Sequence, residues 1–215
     1  MNMLRNGASP IPGTLRGRLA DAQPGTQQWL RGATASVRFA DLLNGSCVGG
    51  RVDELVGRSV VVDTRDQFSA ALALVELDGI ARRLIICPPD FPAEHRRAVV
   101  EQASADALVS DRVDALFDWP VPRCIRCHDT VTASRMPVER FDTEWVLFTS
   151  GTSGAPKMVA HTLGTLTAPI ANRAEPVDSV LWGTFYDIRR YGGLQVLIRA
   201  SSGTRRSFCL VPPNR

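Results

Sequence analysis

The sequence predicts an α/β fold, a mixed sheet with helices packed against it. Two features point there. Short apolar, β-branched runs recur between residues 59 and 149, and the segments joining them carry apolar positions at helical spacing. At 215 residues, 44% hydrophobic and 22% charged, the chain is long enough for one substantial core and too apolar for disorder.

Residues 1–35 mix Gly, Pro, Thr and Gln with few apolar positions, which predicts an irregular lead-in with a short helix near Trp29 and Leu30. From Ser59, SVVVDT reads as a buried strand, and Phe68, Ala71, Leu72 and Val75 then fall on one helical face. Thr64 and Gln67 stand as a capping-box pair at the start of that helix, and Gly79 is placed to end it. RRLIICP (82–88) is a second strand, Pro92 suits the first turn of a helix over 93–104, and DALVS (106–110) is a third strand. Strands alternating with helices of this length imply parallel β-α-β units. After a stretch rich in Pro, Arg and Cys (119–137), EWVLFT (144–149) is a further strand, and MVAHTLGTL (158–166) reads as a short strand turning into a helix. The final segment, 201–215, loses the apolar pattern and reads as an irregular tail. The expected organisation is a lead-in over 1–35, a domain over 36–200 and that tail, with no internal repeat.

Charge and composition narrow the function classes. The formal charge is +3 and the basic residues are spread along the chain. That distribution fits an anionic ligand and lacks the concentrated basic stripe of a nucleic-acid binder, so no nucleic-acid partner is expected. No stretch approaches the roughly 18 apolar residues of a membrane span, and the first thirty residues hold no signal-peptide core. The chain reads as soluble and cytoplasmic. Five cysteines, an odd number, point to reduced thiols rather than a disulfide framework.

The segment of highest information is Thr149-Ser150-Gly151-Thr152-Ser153-Gly154-Ala155-Pro156-Lys157. Two glycines let successive backbone N–H groups turn inward as an anion-binding nest, and four hydroxyl residues add donors without bulk. Lys157 adds a positive charge within reach of a phosphate. The run is not a Walker A loop, because Pro156 precedes the lysine and no hydroxyl residue follows it. Pro156 also restrains Ala155 to an extended conformation, so a strand, a loop and a returning strand are expected rather than a loop running into a helix. The alternative is an ordinary Gly/Ser-rich hairpin turn, but a match of this length arises by chance on the order of once in 10⁶ chains of this size.

At these residues the sequence resembles the adenylate-forming superfamily of acyl- and aryl-CoA synthetases, peptide-synthetase adenylation domains and luciferases. The match is to the family's phosphate-loop signature, [ST]SG[ST][ST]GxPK, preceded here by the strand Trp145-Val146-Leu147-Phe148. GRSVVVDT and LIICPPD are similar to its N-terminal α/β subdomain, and WGTFYDIRRYGGLQVLIRA (182–200) to the segment that approaches its acyl pocket. The resemblance implies a partial N-terminal subdomain of the adenylate-forming enzyme fold. It also implies a two-step reaction in which a carboxylic acid attacks the α-phosphate of ATP and the acyl group then passes to a thiol, of coenzyme A or of a carrier protein. Thr149, Ser150, Gly151, Thr152, Ser153, Gly154 and Lys157 would hold the β- and γ-phosphates, with Mg²⁺ sharing their charge. Phe185, Tyr186 and Asp187 would contact the acid substrate.

Departures accompany the match. The family's later motifs, for the adenine and ribose and for the C-terminal lysine that assists adenylation, have no counterpart in the 215 residues. The expectation is therefore a truncated ligase whose isolated activity is negligible, or whose missing half is supplied by a second polypeptide. The alternative is a catalytically inactive remnant acting only as a nucleotide-binding or protein-interaction module. No catalytic residue and no metal ligand are assigned. Cys124-Ile125-Arg126-Cys127-His128 has the spacing of a c-type haem attachment and half of a zinc site, but neither an export signal nor a second ligand pair accompanies it. His161 would lie near the phosphate loop if its segment were helical. Arg189 and Arg190 read as surface arginines.

Overall fold

In the computed structural model, which describes residues 13–22, 28–134, 136–138, 140–149, 156–170, 180–201 and 206–210, the first described element is a helix. This helix, α1 (Leu15–Asp21), is capped by Thr14, whose hydroxyl accepts from the Gly17 amide at 2.9 Å. Strands β1 (Trp29–Arg31) and β2 (Ser36–Arg38) form a hairpin, followed by α2 (Phe39–Leu42) and a two-residue strand β3 (Gly45–Ser46). The α/β segment then runs β4 (Ser59–Val62), α3 (Gln67–Leu77), β5 (Arg83–Ile86), α4 (Arg96–Ala103), β6 (Ala107–Ser110), α5 (Ala115–Asp118), β7 (Cys124–Arg126). Next come β8 (Thr132–Ala133), β9 (Glu144–Thr149), β10 (Lys157–His161), α6 (Leu163–Thr167), β11 (Val180–Thr184), α7 (Tyr191–Ser201) and β12 (Arg206–Leu210).

The principal sheet has the order β10-β9-β5-β4-β6-β7, all parallel except the edge strand β10. The parallel pairing expected from the alternating pattern is what forms. The period of two along each strand sorts the side chains. Val60 and Val62 join one core cluster with α3, whereas Val61, Ile85 and Leu108 face the other way onto Val99 and Ala103 of α4. Helix α3 is buried on every face, as a helix packed between two layers must be.

The covering layer on the α3 side includes a second sheet, ordered β11-β12-β1-β2. It corrects the sequence reading at both ends. Residues 29–31 form a strand, not a helix, and the 201–215 segment contributes β12, which pairs in parallel with both β1 and β11. The physical reason is that these strands are three to five residues long and stabilised by pairing across the whole chain, Leu30 opposite Phe208. Phe208 and Leu210 are buried, on alternate positions of β12. The start of α3 also differs: Asp66, not Thr64, is the cap, accepting from the Phe68 amide at 3.0 Å. Gln67 Oε1 accepts instead from the distant Ile188 amide.

Candidate functional site

Because β4, β5, β6, β7 and β9 run in one direction, the chain leaves all five at a single rim of the sheet. In open α/β sheets the loops on this carboxyl rim form the ligand site. The segment from Thr149 begins there. Strands β9 and β10 pair antiparallel with Lys157 opposite Thr149 and Met158 opposite Phe148, giving the strand-loop-strand arrangement expected from Pro156. Thr149 and Lys157 are both exposed, and Lys157 has no ion-pair partner among the described residues. Ser150, Gly151, Thr152, Ser153 and Gly154 lie outside the described residues. His161, on strand rather than helix, pairs with Trp145 at the end of the hairpin away from the loop, its ring 5.5 Å from that of Tyr191.

The hairpin stands on a buried anchor. Trp145 is fully buried on β9, and its indole donates to Asp78 Oδ1 at 3.1 Å, while Asp78 Oδ2 accepts from the Leu15 amide at 2.8 Å. One carboxylate thus ties α1, the end of α3 and the strand leading to the loop.

The second candidate segment connects β11 to α7 across the same rim. Phe185 and Tyr186 are 69% and 74% exposed, open to a ligand. Asp187 is not. Its carboxylate accepts from Arg189 Nε at 2.8 Å and Nη2 at 2.6 Å, and from the Arg189 amide at 2.8 Å. Burial pushes this carboxyl up, but the hydrogen bonds and charge of Arg189 outweigh it and leave it below the ordinary carboxylate range. Arg189 is itself buried rather than superficial, and its Nη1 donates to the carbonyls of Thr64 and Arg65 just past β4. Arg190 does lie at the surface, paired with Asp90 beyond β5. The role of Arg189 was missed in the sequence; the signal was the Asp-x-Arg spacing, which lets a side chain close onto its own turn.

Strand order puts a topological switch at β4, flanked by β5 and β6, and a cleft of about 400 Å³ opens there. Its charges oppose one another: Arg65 and Asp66 after β4, Asp111 and Arg112 after β6, Arg126 at the end of β7 and Asp129 just past it. Asp111 is taken up by the amides of Arg65 and Asp66, and Arg112 by Asp63. All five cysteines are free thiols. Burial pushes Cys47, Cys87 and Cys127 well up, away from the thiolate form. Among the described residues no group of three or more His, Cys, Asp or Glu is placed to hold a metal, and no helix is long and apolar enough to cross a membrane.

No family model matches the sequence, and no curated protein matches it. Solved structures do. The chain superposes over 92% of its length on 44% of o-succinylbenzoate CoA synthetase (MenE) from Bacillus subtilis in complex with the acyl-adenylate intermediate OSB-AMP, with TM-score 0.71 and 16% identity. Over 94% of its length it superposes on 58% of the N-terminal domain of FACL13 from Mycobacterium tuberculosis (TM-score 0.71, 12% identity). Again over 94%, it matches 56% of the N-terminal subdomain chain of NpsA from Klebsiella oxytoca (TM-score 0.65, 17% identity). The fold is that of the N-terminal part of adenylate-forming enzymes, as the resemblance implied. The chain spans about half the length of the solved chains it matches.

Proposed function

We propose that this chain is the ATP-gripping portion of an AMP-forming acid-thiol ligase, with residues 149–157 binding the β- and γ-phosphates. The observation that carries the reading is the antiparallel pairing of Thr149 with an exposed Lys157 at the carboxyl rim, the residues between them in the sequence being rich in glycine and hydroxyl groups. The fold shared with a CoA synthetase caught with its acyl-adenylate supports it.

In this reading Thr149, Ser150, Thr152 and Ser153 donate hydroxyl hydrogens to phosphate oxygens, Gly151 and Gly154 let backbone amides approach, and Lys157 neutralises charge on the departing pyrophosphate. ATP supplies the activated phosphorus that a carboxylic acid attacks, and a thiol of coenzyme A or a carrier protein then takes the acyl group. Mg²⁺ would arrive with the phosphates, since hard cations of this kind are held largely by phosphate oxygens. A cytoplasmic setting supplies both ATP and reduced thiols. The organic acid would meet Phe185 and Tyr186, whereas Asp187 is committed to Arg189 and serves the turn rather than the substrate.

The test is titration of the intact chain with a fluorescent ATP analogue in the presence of Mg²⁺. Binding is expected, weakened roughly 10- to 100-fold by Lys157→Ala, in line with the loss of a charge-assisted hydrogen bond of roughly 1.5–3 kcal/mol. Absence of binding, or equal binding by the variant, refutes the reading.

A further inference from the structure

The turn between β11 and α7 is held far more firmly than its exposed aromatics require. Three Arg189 groups, Nε, Nη2 and the backbone amide, donate to the Asp187 carboxylate, and Nη1 donates to two carbonyls of the β4 exit. The Ile188 amide donates to Gln67 Oε1 at 3.3 Å, and the Ile188 side chain is fully buried. Helix α7 closes on the turn from the other side: the Arg190 amide donates to the Asp187 carbonyl at 3.1 Å, and a Cβ on Gly193 would stand 2.2 Å from that oxygen. On the outer side, the Thr184 hydroxyl exchanges hydrogen bonds with the Tyr186 backbone, accepting at 3.0 Å and donating at 3.2 Å. Phe185 and Tyr186 are therefore a stiff exposed pair on a buried ionic base.

That base joins two sheets. The turn belongs to the strand β11 of the four-stranded sheet, while Thr64 and Arg65 leave β4 of the six-stranded one. Strand β9, which leads to the phosphate loop, lies two places from β4, about 10 Å at ordinary strand spacing. A buried, hydrogen-bonded ion pair is weak evidence of stabilisation, because its desolvation offsets much of its attraction, but it fixes geometry well.

We infer that Asp187 and Arg189 are positioning residues that fix Phe185–Tyr186 against the exit of β4 at the carboxyl rim, so that selectivity for the organic acid depends on an ion pair that never touches the acid. This rests on the function proposed above. The pair spans the gap between the sheets as a rigid strut, and a lysine at 189 cannot replace it. Lysine lacks the planar fork that meets both carboxylate oxygens and still donates to Thr64 and Arg65.

The experiment uses the full chain and three measurements on wild type, Arg189→Lys and Tyr186→Ala. Hydrogen exchange is followed over 184–194, the fluorescent ATP analogue is titrated, and benzoate and octanoate are titrated in the presence of saturating analogue. Arg189→Lys is expected to raise exchange over 184–194 at least tenfold, leave analogue affinity within twofold, and change the benzoate-to-octanoate affinity ratio at least fivefold. Tyr186→Ala is expected to change the same ratio with little change in exchange. An unchanged ratio in Arg189→Lys overturns the inference, as does unchanged exchange, or analogue binding by wild type with no binding of either acid. Failure of wild type to bind the analogue instead overturns the phosphate-loop reading on which it rests.

Discussion

Two adjacent glycines at the start of α7 provide an internally controlled test of how tightly that helix is seated. Gly192 has open space where a Cβ would go, whereas at Gly193 a Cβ would lie 2.2 Å from the Asp187 carbonyl oxygen, 2.5 Å from its carbon and 2.9 Å from the Ile188 nitrogen. The obstruction is backbone, and the nearest atom is about 1.2 Å inside the 3.4 Å at which ordinary contact begins. Replacing either glycine by alanine gains roughly 0.5–1 kcal/mol from reduced chain freedom and better helix formation. At position 193 that gain opposes an overpacking cost at or above the upper end of about 1–3 kcal/mol. Gly192→Ala should therefore stabilise the protein by roughly 0.5–1 kcal/mol, and Gly193→Ala should destabilise it by about 2 kcal/mol. In urea, with a slope of about 2 kcal/mol/M, these become midpoint shifts of roughly +0.4 M and −1 M at unchanged slope. Equal midpoints for the two variants would refute the close seating of α7 on the 187–190 turn.

Trp145→Phe replaces the indole by a smaller phenyl ring, which removes the donor to Asp78 and leaves a cavity in a fully buried site, and a loss of at least about 1–3 kcal/mol in denaturant unfolding is expected. Asp187 titrates below its ordinary range in the folded chain, so its contribution is complete above that range and lost as pH falls through the depressed value; the acid limb of the stability profile should flatten in Asp187→Asn. Burial raises the thiols of Cys47, Cys87 and Cys127, so their neutral forms favour the fold below the ordinary value of 9.0 and that support fades above it. Maleimide at pH 8 should accordingly label the part-exposed Cys124 and Cys209 first and reach the other three only on unfolding, as mass spectrometry of partial digests would read.

What was legible in the sequence follows from how local its cause is. Strands β4, β5, β6 and β9 announce themselves because each is a continuous apolar run, buried on both faces of a parallel sheet. Helix α4 was legible from Pro92, and it ends at Ser104 in the left-handed conformation. The second sheet was not legible, since Trp29–Arg31 and Arg206–Leu210 become strands through each other and nothing within either segment demands it. At the site, a strand returning after the loop could be read from Pro156, whereas the pairing of Thr149 with Lys157 comes from the structure. The pairing of Asp187 could not be read, because residue type marks it as a ligand group and only the structure shows its carboxylate buried against Arg189.

The candidate site is assembled from two sheets, and that shapes which changes should reach it. The segment proposed to bind phosphate lies between β9 and β10 in the chain and the aromatic turn between β11 and α7, yet one continuous core includes Trp145 and Leu147 of the first together with Leu194, Leu197 and Phe208 of the second layer. Close-packed cores transmit displacement poorly in small increments and tend to hold one arrangement until it fails. The core therefore fixes the mean separation of the two layers, but a hydrophobic contact is non-directional and leaves rotation of a terminal turn loosely defined. The directional groups needed to fix that rotation sit where the layers meet at the rim: Arg189 Nη1 donating to the Thr64 and Arg65 carbonyls, and Gln67 Oε1 accepting from the Ile188 amide. Core substitutions should thus lower stability with ligand preference intact, whereas substitutions at 187 and 189 should alter preference out of proportion to their effect on stability.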